Sequence, residues 1–183
     1  MRPGTGMNPW ELPREAVLDG ARYPHLTDFR DILHILQILN GPGHRGFLWL
    51  KALAVFFPEA MPPVPQATRY LADFLSCGQP EPAGPALIDW ETDAWEILEG
   101  VNAAAGCDLR EKPYCHWWTF LSLFHSIREG SLADLVSIRH KRLTGKKLTE
   151  LEQEFLRQHP EKFRPKESRE DKQHRQYLEQ LLS

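Results

Sequence analysis

Apolar residues recur at the spacing of amphipathic helices over much of this chain. The first such stretch follows Thr27, and its apolar side chains cover a broad face: Phe29, Ile32, Leu33, Ile35, Leu36, Ile38 and Leu39. We predict a helix that Thr27 caps and that Asn40-Gly41-Pro42-Gly43 ends. Because this face is wider than a surface helix needs, we expect the helix to be central to a core or to pair with another protein.

Similar patterns predict further helices along the chain. Their predicted ranges are Phe47–Phe57, Gln66–Cys77, about Glu91–Ala105, Pro113 to just before Gly130, Ser131–Leu143 and Thr149 to about His159. In the helix predicted over about Glu91–Ala105, the fourth along the chain, we expect these residues to point inward: Ala94, Trp95, Leu98, Val101 and Ala105. Pro113 is expected in the first turn of the fifth helix, and Ser131 is expected to cap the sixth. Thr149 and Glu152 have the spacing of a capping box.

A short hairpin is predicted before the first helix. Asp19-Gly20 separates Ala16-Val17-Leu18 from Ala21-Arg22-Tyr23. Both positions of a type I′ turn need positive φ, and Asp-Gly supplies residues that tolerate it. The alternative is a plain Asp-Gly turn without regular strands.

These elements predict an all-α fold: a compact multi-helix domain with a small N-terminal β-hairpin and a charged, partly helical C-terminal tail. We expect a flexible N-terminus over 1–13, one helical domain over 14–143, and a charged helical tail over 144–183. The segment 79–86 is rich in Pro and Gly and is expected to form a surface loop of that domain.

Composition narrows the functional class. The chain has 183 residues, of which 42% are hydrophobic and 26% charged, which is ordinary for one globular domain. Its formal net charge of −3 opposes an overall basic nucleic-acid binder. An odd cysteine count at irregular spacing favours free thiols in a reducing, cytoplasmic setting. We expect no signal peptide and no membrane partner, since no apolar run approaches the length of a membrane span.

Reactive side chains are few. The candidate ligands for a zinc site are Cys107, Cys115, His116 and His125. Because adjacent residues such as Cys115 and His116 point in different directions on a helix, their coordination of one zinc ion would be strained. Cys115 as a nucleophile near a helix N-terminus is the alternative. No catalytic or phosphate-binding motif occurs. We therefore predict a protein that is not an enzyme, with no catalytic or metal-binding residues and no cofactor.

Charged residues allow two further interpretations. The basic run Arg139-His140-Lys141-Arg142 could contact phosphates, but cations favour the last turn of a helix and three downstream glutamates can balance them. We therefore expect no nucleic-acid partner. Either Asp28 and Arg30 are a helix cap and an exposed salt-bridge partner or, as a sharper hypothesis, Arg30 forms a buried ion pair with an acidic group such as Asp93 or Asp108.

Several segments together resemble a known family. They are Leu12-Pro13, Asp19-Gly20, Thr27-Asp28-Phe29-Arg30, Ile88-Asp89-Trp90-Glu91-Thr92-Asp93-Ala94, Asp108-Leu109, His116-Trp117-Trp118-Thr119-Phe120 and Ile138-Arg139. In this combination the chain resembles the bacteriophage gene-product-fifteen family of long-tailed phages. The resemblance covers most of residues 12–142, with no matched motif over 41–86.

The resemblance implies a mostly α-helical tail assembly chaperone without catalytic residues. Such a protein would bind the phage tape measure protein and the major tail protein in the host cytoplasm, and would be absent from the mature virion. The resemblance also implies a shorter chaperone form as a partner. An apolar patch left uncovered in the absence of the client would favour self-association into a homo-oligomer. We expect the partner-binding surface to include Phe29, Arg30, Leu33, His116, Trp117, Trp118, Phe120 and Arg139.

Two alternatives remain beside this interpretation. One is a cytosolic helical adaptor unrelated to phage tails, and the other is a Cys/His-dependent enzyme. A further hypothesis concerns the tail, whose Tyr177, Leu178, Leu181 and Leu182 could occupy an apolar groove until a client arrives.

Overall fold

The computed structural model describes residues 8, 10–79 and 86–163. The described chain is mostly helical and begins with a two-stranded hairpin, which confirms the predicted fold class. Its elements are β1 (Glu15–Leu18), β2 (Ala21–Pro24), α1 (Phe29–Asn40), α2 (Arg45–Phe56), α3 (Val64–Leu75), α4 (Ala94–Ala105), α5 (Trp117–Ser126), α6 (Ser131–Leu143) and α7 (Glu150–Gln158). Short 3₁₀ helices cover Leu109–Glu111 and Pro160–Phe163. Most of the predicted flexible N-terminus, most of the Pro/Gly-rich loop and the tail after 163 lie outside the described residues.

The chain divides into two compact units. Among the described residues, unit 1 contains 8 and 10–79 together with Tyr114–Phe120, and unit 2 contains 86–113 together with 121–163. Each unit is therefore built from separate parts of the sequence. The boundaries predicted for one helical domain, 14–143, stay a prediction.

The hairpin in unit 1 matches the predicted turn. Strands β1 and β2 pair antiparallel with Leu18 opposite Ala21, and Asp19 and Gly20 have φ values of 49° and 80°. Positive φ at both turn positions is what a type I′ turn requires. A hairpin of this size is marginal in isolation. It is held in unit 1 by the Tyr70 hydroxyl of α3, which donates a hydrogen bond to the Glu15 carbonyl oxygen at 3.1 Å.

Helices α1, α2 and α3 bury their apolar faces within unit 1. The buried side chains are Phe29, Ile32 and Ile35 of α1, Leu48, Ala52, Leu53 and Phe56 of α2, and Ala67, Leu71 and Phe74 of α3. The N-cap prediction for α1 was wrong by one residue. Asp28 caps the helix by accepting from the Arg30 amide, whereas the Thr27 hydroxyl lies 2.8 Å from the Tyr114 hydroxyl.

Unit 2 buries Ile97 and Val101 of α4 and Leu132, Leu135 and Ile138 of α6. Phe163 joins Leu135 and Ile138, with Phe155 and Leu156 of α7 packed against them. The inward stripe predicted for α4 was wrong in part, because Trp95 is 74% exposed and Ala94 is exposed as well. Helix α4 begins at Ala94, later than predicted, and its buried residues are Ile97 and Val101.

The start predicted for α5 and the cap predicted for α6 were wrong, whereas the capping box predicted for α7 was right. Helix α5 begins at Trp117 and not near Pro113, because a bridge between Asp28 and His116 keeps the preceding residues extended. Gly130 precedes α6 without a side-chain cap, while the Ser131 hydroxyl donates to Glu99 at 2.6 Å. The capping box of Thr149 and Glu152 is present at α7.

Within the described residues, none of the helices has the length and apolarity needed to cross a membrane.

Candidate functional site

Two segments that are far apart in sequence meet in unit 1. Asp28 and His116 form an antiparallel bridge. The amide of Phe29 donates to the Cys115 carbonyl oxygen at 3.0 Å, and the amide of Trp117 donates to the Thr27 carbonyl oxygen at 2.7 Å. We call this contact the Asp28–His116 junction. It joins the start of α1 to the start of α5.

The Asp28 carboxylate serves both sides of the junction. Its Oδ1 accepts from the Arg30 amide at 3.0 Å, and its Oδ2 accepts from the Cys115 amide at 2.9 Å. The Arg30 guanidinium also donates to both carboxylate oxygens at 3.0 Å. One charged side chain therefore caps α1, satisfies a backbone donor from a distant segment and holds an ion pair.

His116 is buried in the junction with both ring nitrogens engaged. Nδ1 accepts from the Trp118 amide at 3.0 Å, so the ring proton lies on Nε2, which donates to the Pro13 carbonyl oxygen at 3.0 Å. Burial lowers the pKa of His116 below its ordinary value. The neutral ring thus caps α5 and attaches the segment before β1 to the same place.

The tandem indoles belong to the core of unit 1. Trp117 is 1% exposed and Trp118 is 7% exposed. Their Nε1 atoms donate to the carbonyl oxygens of Leu75 and Phe74, at 3.1 Å and 2.9 Å. These carbonyls lie in the last turn of α3, where helical oxygens lack partners in their own helix. Both indoles therefore bury apolar area and satisfy a helix end at once.

The ring of Phe29 stacks on that of Phe120 with 4.7 Å between centroids and 5° between planes. The fold thus brings together five of the predicted partner-binding residues: Phe29, His116, Trp117, Trp118 and Phe120. All five are buried, so in this structure they form a core and not an accessible surface. Arg30 and Leu33 are half-buried on α1. A partner-binding role for these residues stays a prediction.

Arg139 has a structural partner in unit 2. Its Nη2 donates to Asp93 Oδ1 at 2.9 Å and to the Lys162 carbonyl oxygen at 2.6 Å, while Nη1 donates to the Leu87 carbonyl oxygen at 2.8 Å. Asp93 is fully buried and also accepts from the Asp89 amide at 2.9 Å. The guanidinium therefore holds the start of α4 and the 3₁₀ helix Pro160–Phe163 against α6.

The hypothesis of a buried ion pair between Arg30 and Asp93 or Asp108 was wrong. Asp93 pairs with Arg139, and Asp108 pairs with Arg110 at 2.6 Å. The Arg110 side chain lowers the pKa of the Asp108 carboxyl. The expected balance between the basic run and the downstream glutamates is confirmed at Lys141, whose Nζ lies 2.6 Å from Glu152 Oε1.

A second histidine cluster in unit 1 was missed by sequence reasoning. His25 stacks on Phe56 with 4.5 Å between centroids and meets the edges of Phe57 and Phe74. Its Nε2 lies 3.0 Å from the Tyr70 hydroxyl, and its Nδ1 lies 3.0 Å from the Leu26 carbonyl oxygen. Burial lowers the pKa of His25 to about 4 and raises that of Tyr70 to about 12. The sequence carries no signal for this cluster, because its members come from the segment after β2, from the end of α2 and from α3.

The cysteines are free thiols. Cys115 is buried, and its Sγ lies 3.7 Å from the His116 carbonyl oxygen. Burial raises the pKa of Cys77 to about 12, which opposes a thiolate there. No group of three or more His, Cys, Asp or Glu side chains is placed to hold a metal ion over 10–79 and 86–163.

A groove of about 770 Å³ runs between the hairpin and α3. Its walls carry both signs of charge, including Glu15, Asp19 and Arg69. Gln66 donates to Asp19 Oδ2 at 2.6 Å across it. These groups neutralise one another locally, so the groove has no dominant charge for recognising a charged ligand.

Comparison with models of protein families, with curated proteins and with solved structures finds no match to this chain.

Proposed function

We propose that this protein is a non-catalytic phage tail assembly chaperone that binds the tape measure protein, with the major tail protein as a second client. It acts in the cytoplasm of the bacterial host and leaves before the virion is complete. The resemblance described above suggests this function, and one observation in the structure carries it further.

That observation is the Asp28–His116 junction. The resemblance depends on two motifs, Thr27-Asp28-Phe29-Arg30 and His116-Trp117-Trp118-Thr119-Phe120. The Trp117 amide donates to the Thr27 carbonyl oxygen at 2.7 Å, and Phe29 stacks on Phe120. Cys115, directly before the second motif, is hydrogen-bonded to Phe29 and Asp28 at 2.9–3.0 Å. Because the two motifs build one structural feature, they support a common origin with that family better than two motifs without contact would.

The chemistry of the junction also fits a binding protein better than an enzyme. The ring nitrogens of His116 are occupied by backbone groups, and the carboxylate of Asp28 is occupied by amides and by Arg30. A general base needs a lone pair directed at a substrate. These side chains direct theirs at the chain itself, in keeping with a structural role.

Co-expression with the tape measure protein tests the proposal. We expect the tape measure protein to stay in the supernatant and to copurify with this chain, and to precipitate when this chain is omitted. Failure to copurify, with the tape measure protein equally insoluble in both cases, would contradict the proposed function. A parallel co-expression with the major tail protein tests the second client.

A further inference from the structure

Helix α2 carries a second apolar face opposite its buried one. Phe47 is 56% exposed and Leu50 is 44% exposed, and exposed Ala54 lies one turn further along. Positions three and four residues apart share one side of a helix, so these residues and Lys51 form a single stripe. We call the stripe of Phe47, Leu50, Lys51 and Ala54 the outer α2 face. A helix that is apolar on both sides is typical of one that is covered on both.

The charges of α2 are all positive. Among its twelve residues only Arg45 and Lys51 are charged, and none is acidic. The Lys51 Nζ lies 4.7 Å from the centroid of the Phe47 ring, which places a cation on the stripe itself. Neither cation has an ion-pair partner within the described residues.

The first turn of α2 adds to this positive potential. His44 precedes the helix without a side-chain cap, and no acidic residue follows in the first turn. The unpaired amides at a helix start carry partial positive charge. They therefore favour a carboxylate at this end of the helix, whereas Arg45, two residues before Phe47, lies on the other side of the helix from the stripe.

We propose that the outer α2 face docks an amphipathic helix of the tape measure protein whose apolar stripe is bordered by Asp or Glu side chains. This inference rests on the proposed function and names the chemistry of the client. Contact between the two apolar stripes supplies affinity, and pairing of the client carboxylates with Lys51 supplies selectivity. A second copy of this chain fits less well, because a two-fold contact through this face brings the cations of both copies together.

Two synthetic helical peptides with the same leucine stripe test the charge preference. One peptide has glutamates on both borders of the stripe, and the other has lysines. We expect the purified full chain to bind the glutamate peptide roughly fivefold more tightly or better at low salt, with the difference shrinking at high salt. Charge reversal in the variant Lys51→Glu is expected to invert the preference.

The apolar contribution is tested by the variant Phe47→Ser with Leu50→Ser. Both side chains are exposed, so we expect the fold to persist by circular dichroism while peptide affinity falls by roughly tenfold or more. Leu151→Ser is the matched control, since Leu151 is 83% exposed on α7 in unit 2. This control is expected to bind the glutamate peptide as the unchanged chain does.

Three results would overturn the inference. One is equal affinity for the two peptides, and another is undiminished binding by the Phe47/Leu50 variant. The third is a dimer that this variant converts to a monomer, which would assign the face to a second copy.

Co-expression separates this inference from the proposed function. If the tape measure protein copurifies equally with the unchanged chain and with the Phe47/Leu50 variant, the function stands and the docking surface is wrong. If it copurifies with neither, the proposed function and the assignment of the client fail together, whatever the peptides show.

Discussion

Asp28 and Cys115 are separated by 87 positions in the sequence, yet the carboxylate of one accepts the backbone amide of the other. A buried amide that loses its acceptor costs more free energy than an average hydrogen bond contributes, because the donor has already left water. The same carboxylate caps α1. A single side chain therefore influences both the start of a helix and the contact between distant segments.

We predict that Asp28→Ala lowers the free energy of unfolding by about 2–4 kcal/mol, the sum of a lost N-cap and an unsatisfied buried amide. Asp28→Asn keeps one acceptor oxygen and is expected to lower the free energy of unfolding by less. Urea denaturation measures the free energy of unfolding of both variants. Asp134→Ala, which removes an exposed carboxylate from the first turn of α6, is the control and should change stability little. An equal effect of Asp28→Ala and Asp134→Ala would contradict the role of the junction.

His25 makes the stability of unit 1 depend on pH. Its pKa is lowered from 6.5 to about 4 because the ring is buried among aromatic side chains. The unfolded chain therefore binds a proton at a higher pH than the folded chain does. The contribution to stability is complete above pH 6.5 and is lost as the pH falls toward 4.

We predict that the free energy of unfolding falls between pH 7 and pH 4 by about 3 kcal/mol more in the unchanged chain than in His25→Phe. Phenylalanine keeps an aromatic ring against Phe56 and removes the titrating group. Denaturation at several pH values gives the free energy of unfolding as a function of pH for both chains. The exposed His34 supplies the control His34→Gln, whose pH profile should follow that of the unchanged chain. Parallel profiles for the unchanged chain and His25→Phe would refute the assignment.

Helix α4 approaches the segment after α5 so closely that one of its positions excludes a side chain. A Cβ atom added at Gly100 would lie 2.7 Å from Ile127 Cδ1 and 3.2 Å from its Cγ1. In an exposed helix, Gly→Ala is stabilising because alanine loses less backbone entropy. At Gly100 this gain of about 1 kcal/mol opposes an overpacking cost of about 1–3 kcal/mol.

We predict that Gly100→Ala destabilises the chain by about 1 kcal/mol, and that the sign reverses in an Ile127→Ala background. In the Ile127→Ala background the three atoms nearest to the added methyl group are gone, and the helix propensity of alanine remains. A double-mutant cycle from thermal or urea unfolding gives both values. Stabilisation by Gly100→Ala in the unchanged chain would show that Ile127 moves aside at little cost.

Arg139 joins three elements of unit 2 through one guanidinium. It bonds to Asp93 before α4, to the Leu87 carbonyl and to the Lys162 carbonyl in the 3₁₀ helix Pro160–Phe163. Asp93 is fully buried. Removing the cation alone would leave a buried carboxylate without its counter-ion, which is costlier than removing both charges.

We predict that Arg139→Ala destabilises the chain by about 3–5 kcal/mol, and that adding Asp93→Asn recovers part of the loss. Arg157→Ala removes an exposed Arg that pairs with Glu154 on α7, and it should leave stability nearly unchanged. Unfolding by guanidinium chloride compares the three variants. A small effect of Arg139→Ala would mean that the Asp93 carboxyl is protonated or hydrated without its partner.

At the level of the whole molecule, the proposed function concerns an assembly factor that leaves its product. We therefore expect mass spectrometry to detect this chain in lysates of phage-producing cells and to find it absent from purified virions, where the major tail protein provides the positive control. Stoichiometric recovery of this chain from virions would contradict the chaperone role and favour a structural one.

Local features of the chain predicted much of the fold. The Asp-Gly turn, the capping box at Thr149 and the apolar spacing of α1, α2 and α3 depend on residues within one or two turns of each other. Backbone conformation and short-range capping set these elements, so they follow from neighbouring residues alone.

The candidate site was predicted from the sequence in part. The sequence selected Phe29, His116, Trp117, Trp118 and Phe120 together, and the fold does place them together.

Their burial, in contrast, depends on partners that periodicity does not name. The carbonyls of Phe74 and Leu75 receive the two indoles, and Asp28 receives the amide of Cys115. The same holds for the ion pair of Arg139 with Asp93, the aromatic surroundings of His25, and the exposure of Trp95. An apolar or charged side chain has the same local pattern whether it meets a core, a counter-ion or water. Its environment is set by which distant segment packs against it, and that long-range pairing exists only once the chain has folded.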